Sequence, residues 1–352
     1  MSAPVAASTT AEVAPLEQVA EGLYRLDLPV PFKGLRQINL WFMRDGAGWT
    51  MVDCGCDDAP SQALIEAAWA ALPGAGPITR LIITHFHPDH AGNARWISDR
   101  WDIVPYMSAR EWQAARLSAD LEMLDSVPKQ SDFFRRHGLG DADLDQYRAQ
   151  FLTYDKVVRL TQTAEILRGG DCIQIDGTGW QILTEGGHSP EMVMLFQPDR
   201  RILISGDQLL PRISSNISVG HWNPEADPLQ DYLDALHRLT ARLGPDDLVL
   251  PSHGRPFVDG GARARALVAH HDERLAKMHA ALQSAGKMTA AEFLPVLFSP
   301  GLDGTQIGFA MGEVAAHLNH LVRKGAAAAS VGADGMVAYL ALGPDDTRDL
   351  QI

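Results

Sequence analysis

The chain of 352 residues carries 30 Lys+Arg against 44 Asp+Glu, a formal net charge of -14 at pH 7, with 46% hydrophobic and 21% charged residues. That length suits about two domains at ~150 residues each, and the hydrophobic share excludes a mostly disordered chain. The acidic balance excludes a general nucleic-acid binder, which needs a basic face, and no apolar run approaches the ~18 residues of a membrane span.

Residues 1–16 read as a flexible leader, without the basic start and continuous apolar stretch of a secretion signal. Cys54, Cys56 and Cys172 are odd in number and form no C-x-x-C, so the expected setting is the reducing cytoplasm, with Cys54 and Cys56 as small buried apolar residues. Strands are expected over Gly22–Leu28, Gln37–Arg44 and Trp49–Val52, then a helix over Ser61–Leu72 and a β-branched strand over Ile78–Thr84. Residues 108–160 are helical in pattern and read as an insertion able to act as a lid. Its Trp112, Phe133, Phe134 and Tyr147 are candidates for walling an apolar pocket, and Arg110, Arg116, Arg135 and Arg136 for meeting an anionic carrier. Strands return at Asp171–Ile175, Trp180–Thr184, Met192–Phe196, Arg201–Ser205 and Leu248–Pro251. Before the last of these, Asp227-Pro228 caps a helix whose buried stripe is Leu229, Leu233, Leu236 and Leu243.

A boundary falls near Asp259-Gly260-Gly261, dividing a domain at 17–262 from one at 263–352. The second reads as a long helix over Ala262–Leu282, a helix opened by a Thr289-x-x-Glu292 capping box, a third over Gly304–Lys324, and a hairpin turning at Gly332–Gly335.

The chemistry concentrates in His85-Phe86-His87-Pro88-Asp89-His90, directly after a strand. Imidazole and carboxylate hold borderline divalent ions such as zinc. His85 and His87, at alternate positions where a strand ends, can converge on one ion; Asp89 and His90 on the next turn can reach a second. Three further ligand-competent residues, His188, Asp207 and His253, each follow a strand on a turn of small residues. The other histidines read as structural: His237 as an interfacial core residue, His137, His279, His317 and His320 as solvated helix positions, and only one of His270 and His271 facing inward.

His85-x-His87-x-Asp89-His90, followed in order by His188, Asp207 and His253 and preceded by Val52-Asp53-Cys54-Gly55, resembles the metal-site motifs of the metallo-β-lactamase-fold hydrolase superfamily over roughly residues 17–262. The resemblance implies an α/β fold, an αββα sandwich with two metals at one edge of the facing sheets, extended here by a smaller, mainly helical domain. It assigns His85, His87 and His188 to the first metal, and Asp89, His90 and His253 to the second. Asp207 would bridge the two, and Asp53 would orient a ligand histidine. The implied cofactor is two divalent ions per chain, zinc ahead of manganese or iron. The implied reaction is hydrolysis, in which metal-bound hydroxide attacks an ester or thioester while Asp89 accepts the proton.

Asp207 and the visible lack of an export signal set the chain apart from true β-lactamases, and His87 from flavodiiron proteins. The 46-residue step from Asp207 to His253 is too short for the nucleases with a large inserted domain. The glyoxalase II-like group remains. Within it the C-terminal extension is similar to the winged-helix-like tail of the subgroup that includes mammalian lactamase-β-like protein two, an RNase. The tail here, with eight Lys/Arg against nine Asp/Glu, lacks a basic face, so a phosphodiesterase or ribonuclease is the alternative rather than the first reading. A non-hydrolytic metal-binding protein is a further alternative. A small-molecule substrate is expected, with Arg212, Asn216, His221 and Trp222 as candidate contacts, no membrane partner, and a possible homodimer.

Overall fold

The computed structural model describes residues 16–32, 35–74, 76–119, 126–150 and 156–343. Nearly all of the expected leader, and parts of the 108–160 insertion, lie outside these residues. The chain opens with β1 (Leu16–Ala20), β2 (Leu23–Pro29), β3 (Gln37–Asp45) and β4 (Gly48–Val52), an antiparallel meander. Helix α1 (Ala59–Ala71) crosses over to β5 (Ile78–Ile82), which pairs parallel with β4. It starts where the Asp58 side chain accepts from Ser61 N, with proline in the first turn. After β5 come α2 (Pro88–Ala91), α3 (Ala94–Trp101), β6 (Tyr106–Ser108), α4 (Ala109–Ala119), α5 (Ser126–Arg136), α6 (Asp141–Gln150) and β7 (Glu165–Leu167). The first sheet runs β1-β2-β3-β4-β5-β6-β7.

The second sheet is built from β8 (Cys172–Ile175), β9 (Thr178–Glu185), β10 (Met192–Gln197), β11 (Ile202–Gly206), then α7 (Pro228–Arg242) and β12 (Leu248–Pro251), in the order β12-β11-β10-β9-β8. Three apolar layers result from the alternation of side chains. Leu23, Trp41, Val52 and Ile82 from the first sheet meet Trp180, Val193, Leu195, Ile204 and Leu250 from the second. The opposite face of the first sheet, with Leu26, Leu40 and Met51, is covered by Ile65 of α1 and Ile97 of α3. The outer face of the second is covered by α7 and the C-terminal helices. This is the expected αββα order.

Beyond β12 lie α8 (Gly260–Ala285), a 3₁₀ turn at Ala291–Phe293, α9 (Leu294–Leu297), α10 (Gly304–Arg323), and the hairpin β13 (Ala327–Val331) with β14 (Val337–Ala341). The helix expected after Thr289 shrinks to single turns. Thr289 N and Oγ1 both donate to the Glu292 carboxylate, so the hydroxyl is spent on the acid. The full capping box is instead Asp303 with Gln306, at the start of α10. Helix α10 packs on α6, α7 and α8. At Gly304 any Cβ would strike the Gln146 carbonyl, so glycine permits the close approach to α6.

Several expectations about single residues need correction. Phe133, Phe134 and Tyr147 wall no open pocket: they are buried in one cluster with Leu236 of α7 and Met311, Val314 and Leu318 of α10. His137, His317 and His320 are buried rather than solvated, because α10 and the end of α5 are enclosed by neighbouring helices. His137 Nδ1 donates to Phe133 O, His317 Nδ1 to Glu313 O, and His320 Nδ1 lies 3.1 Å from Asp227 Oδ1. His237, by contrast, faces solvent, on the side of α7 away from its leucine stripe. Of the adjacent pair, His271 is the one fully buried.

Asp227 therefore serves two partners, accepting from Gln230 N as the α7 cap and contacting His320 of α10. Burial raises its carboxyl pKa, but the His320 contact and the Gln230 bond outweigh this and hold it below the usual range. Asp227→Ala should destabilise the protein by about 1–2 kcal/mol in a urea melt near neutral pH, the cost of a lost cap. Because the folded pKa is depressed, the wild-type advantage should be present above the unfolded carboxylate pKa and fade as pH falls through the folded one.

Candidate metal centre

The seven candidate ligands come together at one edge of the sandwich, where β5, β9, β11 and β12 end. His85 and His87 lie between β5 and α2, and Asp89 and His90 on α2 itself. His188 is on the loop joining β9 to β10, Asp207 follows β11, and His253 follows β12. Ligand atoms of His85, His87 and His188 lie within 4.8 Å of one another, as do those of Asp89, His90 and His253, and those of His85, His90 and Asp207. Helix α2 reaches this edge because Gly92 abuts the Gly55 carbonyl and Cys56, where a Cβ could not fit.

The outward ring nitrogens of His188, His253 and His90 each have a fixed partner. His188 Nδ1 donates to Asn216 O at 2.7 Å and His253 Nδ1 to Gln37 O at 2.6 Å. His90 Nδ1 lies 2.8 Å from Asp53 Oδ2. Such bonds set ring orientation and leave Nε2 facing inward. His90 Nε2, His188 Nε2, His253 Nε2 and Asp207 Oδ1 are all buried without a hydrogen-bond partner. His85 Nε2 and His87 Nδ1 stand 2.9 Å apart. Buried polar atoms left unpaired are costly, and their convergence here fits a divalent cation.

Asp53 is the hub beneath the ligands. Its backbone is left-handed, with φ 60°, which turns the carboxylate back under β5. Oδ1 accepts from Thr84 N at 2.8 Å and Thr84 Oγ1 at 2.9 Å, and Oδ2 takes Ser252 Oγ at 3.3 Å beside His90. It thereby joins the strand ends that carry His85, His90 and His253.

The electrostatics divide the site. Burial, aided by neighbouring histidines, pushes His85 well below the usual imidazole range and His87 down to about 3. Burial also lowers His188. These three rings are therefore neutral near pH 7, the form that binds metal. Burial acts the same way on His253, yet Asp207 and Asp89 outweigh it and bring it up to about 10. His90 is likewise raised, against burial, by Asp53, Asp89 and Asp207. Burial pushes the two carboxyls upward, but His90 and His253 hold Asp89 below its usual range and Asp207 well below it. A cation entering the Asp89/His90/His253 cluster thus competes with protons.

The candidate substrate contacts fare differently. Asn216 acts through its backbone carbonyl, on His188. His221 is tied by N and Nδ1 to Gln130 Oε1, both at 2.9 Å. Trp222 is 63% exposed, and Arg212 lies on the surface. Sequence reasoning missed Glu111, a fully buried acid on α4 that bonds both histidine loops. No local pattern marks it.

A family model described as the metallo-beta-lactamase superfamily matches residues 34–253, and a second, the metallo-beta-lactamase-like C-terminal domain, matches residues 275–342. The structure superposes on a crystal structure of a beta-lactamase domain protein from Burkholderia ambifaria with TM-score 0.87 and 38% identity, covering 96% of this chain and 97% of that one. In sequence the chain is 26% identical to the probable metallo-hydrolase YqjP of Bacillus subtilis, over 86% of this chain and 92% of the relative. It is also 22% identical to the acyl-coenzyme A thioesterase MBLAC2 of Gallus gallus, over 75% of this chain and 88% of the relative.

Proposed function

The chain belongs to the metallo-β-lactamase superfamily, and from that premise we propose that it is a dinuclear metal-dependent hydrolase of thioesters or esters, of the acyl-CoA, acylglutathione or lactone kind. The observation that carries this is the convergence of the unpartnered Nε2 atoms of His90, His188 and His253 on Asp207, whose Oδ2 lies 3.3–3.7 Å from all three. In this reading His85, His87 and His188 hold one ion, and Asp89, His90 and His253 the other. Asp207 lies between them, with Oδ2 3.5 Å from His188 Nε2 and 3.3 Å from His253 Nε2. Two zinc ions, or manganese or iron, would supply Lewis acidity and a water acidic enough to ionise near neutral pH.

The chain's own groups do the rest. Asp53 and the carbonyls of Asn216 and Gln37 keep the rings aimed inward, which spares the site reorganisation when charge develops. Asp89, ionised at neutral pH and with Oδ2 3.4 Å from His253 Nε2, is placed to accept a proton. A thiolate departs without strong acid help, which favours a thioester, and the similarity to an acyl-coenzyme A thioesterase supports the same class.

The nuclease alternative finds less support. Most of α10, the longest helix of the winged-helix-like tail after α8, is buried, and Arg323 at its end donates to Glu225 O at 2.7 Å. Cys54, Cys56 and Cys172 are all unpaired, in keeping with a reducing cytoplasm. No helix among the described residues is long and apolar enough to cross a membrane.

The test is elemental analysis of protein purified without chelator, followed by a screen of acyl-CoA, lactone, β-lactam and bis-aryl phosphate substrates. About two metal ions per chain are expected, with thioester hydrolysis lost to chelator and restored by zinc or manganese. Saturation at one ion would exclude the bridged arrangement, and turnover of the phosphodiester alone would replace the proposed substrate class.

A further inference from the structure

Glu111 sits in the first turn of α4, the helix that opens the insertion between β6 and β7, outside every motif that carries a candidate ligand. Its side chain is fully buried and both oxygens are engaged. Oε2 accepts from the backbone N–H of Phe86, between His85 and His87, at 3.0 Å. Oε1 accepts from Ser189 Oγ at 2.7 Å and from Glu191 N at 2.6 Å, on the loop that carries His188. The two loops belong to different sheets. Ser108, at the mouth of α4, adds a second tie by donating Oγ to Glu191 O at 2.7 Å.

We propose that Glu111 is a positioning residue for the first metal, a carboxylate staple that holds the His85-Phe86-His87 turn and the His188 loop at the separation a single ion requires. The inference rests on the metal-centre reading above and adds to it a group from the insertion. A buried charge is costly, and burial pushes the Glu111 carboxyl up to about 7 against the pull of its three donors at 2.6–3.0 Å, whose geometry suits the carboxylate form present above that pH. Its two oxygens divide between the two loops, so the carboxylate fixes their spacing as well as satisfying their donors. Glutamine has the same shape but only one acceptor oxygen, and its amide nitrogen would face an N–H or O–H on one of the loops. It should therefore release one loop while filling the same volume. The start of the insertion is accordingly part of the fixed site, and any lid motion belongs to residues beyond it.

The experiment titrates cobalt(II) into metal-free protein and follows the visible absorption of histidine-bound cobalt in wild type, E111Q, S189A and H188A. H188A identifies the step belonging to His85, His87 and His188. In E111Q that step should weaken about 10–100-fold, the usual effect of removing a group that orients metal ligands. The other step should stay within about threefold of wild type, and the cobalt spectrum of the affected site should change. S189A, which deletes one donor and leaves both backbone bonds, should show a smaller loss confined to the same step and serves as the milder variant. I97V, in the apolar layer under α3, supplies a control for general destabilisation. Equal binding of both ions by wild type, E111Q and S189A would overturn the proposal, as would the same step-specific loss in I97V. Wild-type protein that took up no cobalt would instead overturn the metal-centre reading, and the proposal with it.

Discussion

Asp207→Asn should strip the protein of both metal ions and of turnover together. Asp207 Oδ2 lies 3.3–3.7 Å from the inward nitrogens of His188, His90 and His253, three rings drawn from different strand ends. Burial alone would raise its carboxyl pKa, but His253 and His90 hold it well below the usual range, so the group is anionic at any working pH. Asparagine removes the charge that would neutralise two neighbouring cations, and turns an NH₂ toward nitrogens that need a positive partner, not a donor. Groups that merely orient metal ligands are worth about 10–100-fold, so loss of a direct, shared ligand should cost more than about 100-fold in both metal affinities and in kcat. His253→Ala should mainly empty the Asp89/His90 cluster. Chelator competition with elemental analysis reads both variants, and full turnover with two ions in Asp207→Asn would show the ligand assignment to be wrong.

Deleting residues 263–352 should leave a protein that aggregates or loses its fold, not a trimmed hydrolase. From the sequence alone the tail is expected to pack on the core, so that its loss costs solubility or substrate affinity and leaves the ligands untouched. The structure points to a larger effect, because Phe134 and Tyr147 of the insertion, Leu229, Tyr232 and Leu236 of α7, and Ile307, Met311, Val314 and Leu318 of α10 form one buried cluster. Removing α8 and α10 exposes the outer layer of the second sheet's helix, at about 1.5–3 kcal/mol for each large apolar side chain uncovered. The metal site is also reached directly. Asn216, whose carbonyl orients His188, sits on a loop pinned to α10 by Val219 N donating to Gly312 O at 3.1 Å. Any Cβ at Gly312 would come within 2.8 Å of Ser218 Oγ, so the contact is close. Soluble yield, dye binding to exposed apolar surface and cobalt uptake by the truncated chain measure the effect. A monodisperse product with wild-type cobalt binding would show that neither the fold nor the candidate ligands depend on these residues.

The points where sequence and structure part company are instructive. The long strands and helices are legible because their periodicity extends over several residues, whereas β6 and β7 have three residues each, too few for a pattern. The aromatic residues of the insertion read as pocket walls in sequence because the helices that cover them, α7 and α10, come much later in the chain. His317 and His320 looked solvated for a similar reason: a helix's own sequence does not say how many sides are enclosed.

By itself the sequence picked out the candidate ligands and their order, since four stand within six residues of one strand end and His188, Asp207 and His253 each follow a strand on a turn of small residues, and that is a local property. It also pointed to Asp53, through the resemblance of its strand-end motif, and the structure buries that carboxylate beside His90. Tertiary structure alone decided what holds each ring in place. His253 takes its acceptor from Gln37, 216 residues away, and the two histidine loops share Glu111, which reaches Glu191 across 80 residues. A backbone carbonyl has no residue type to betray it, and a buried glutamate looks like any other helix acid until the donors around it are known. Orientation of a metal ligand is a property of packing between distant segments, and only the folded chain brings those segments within hydrogen-bonding reach.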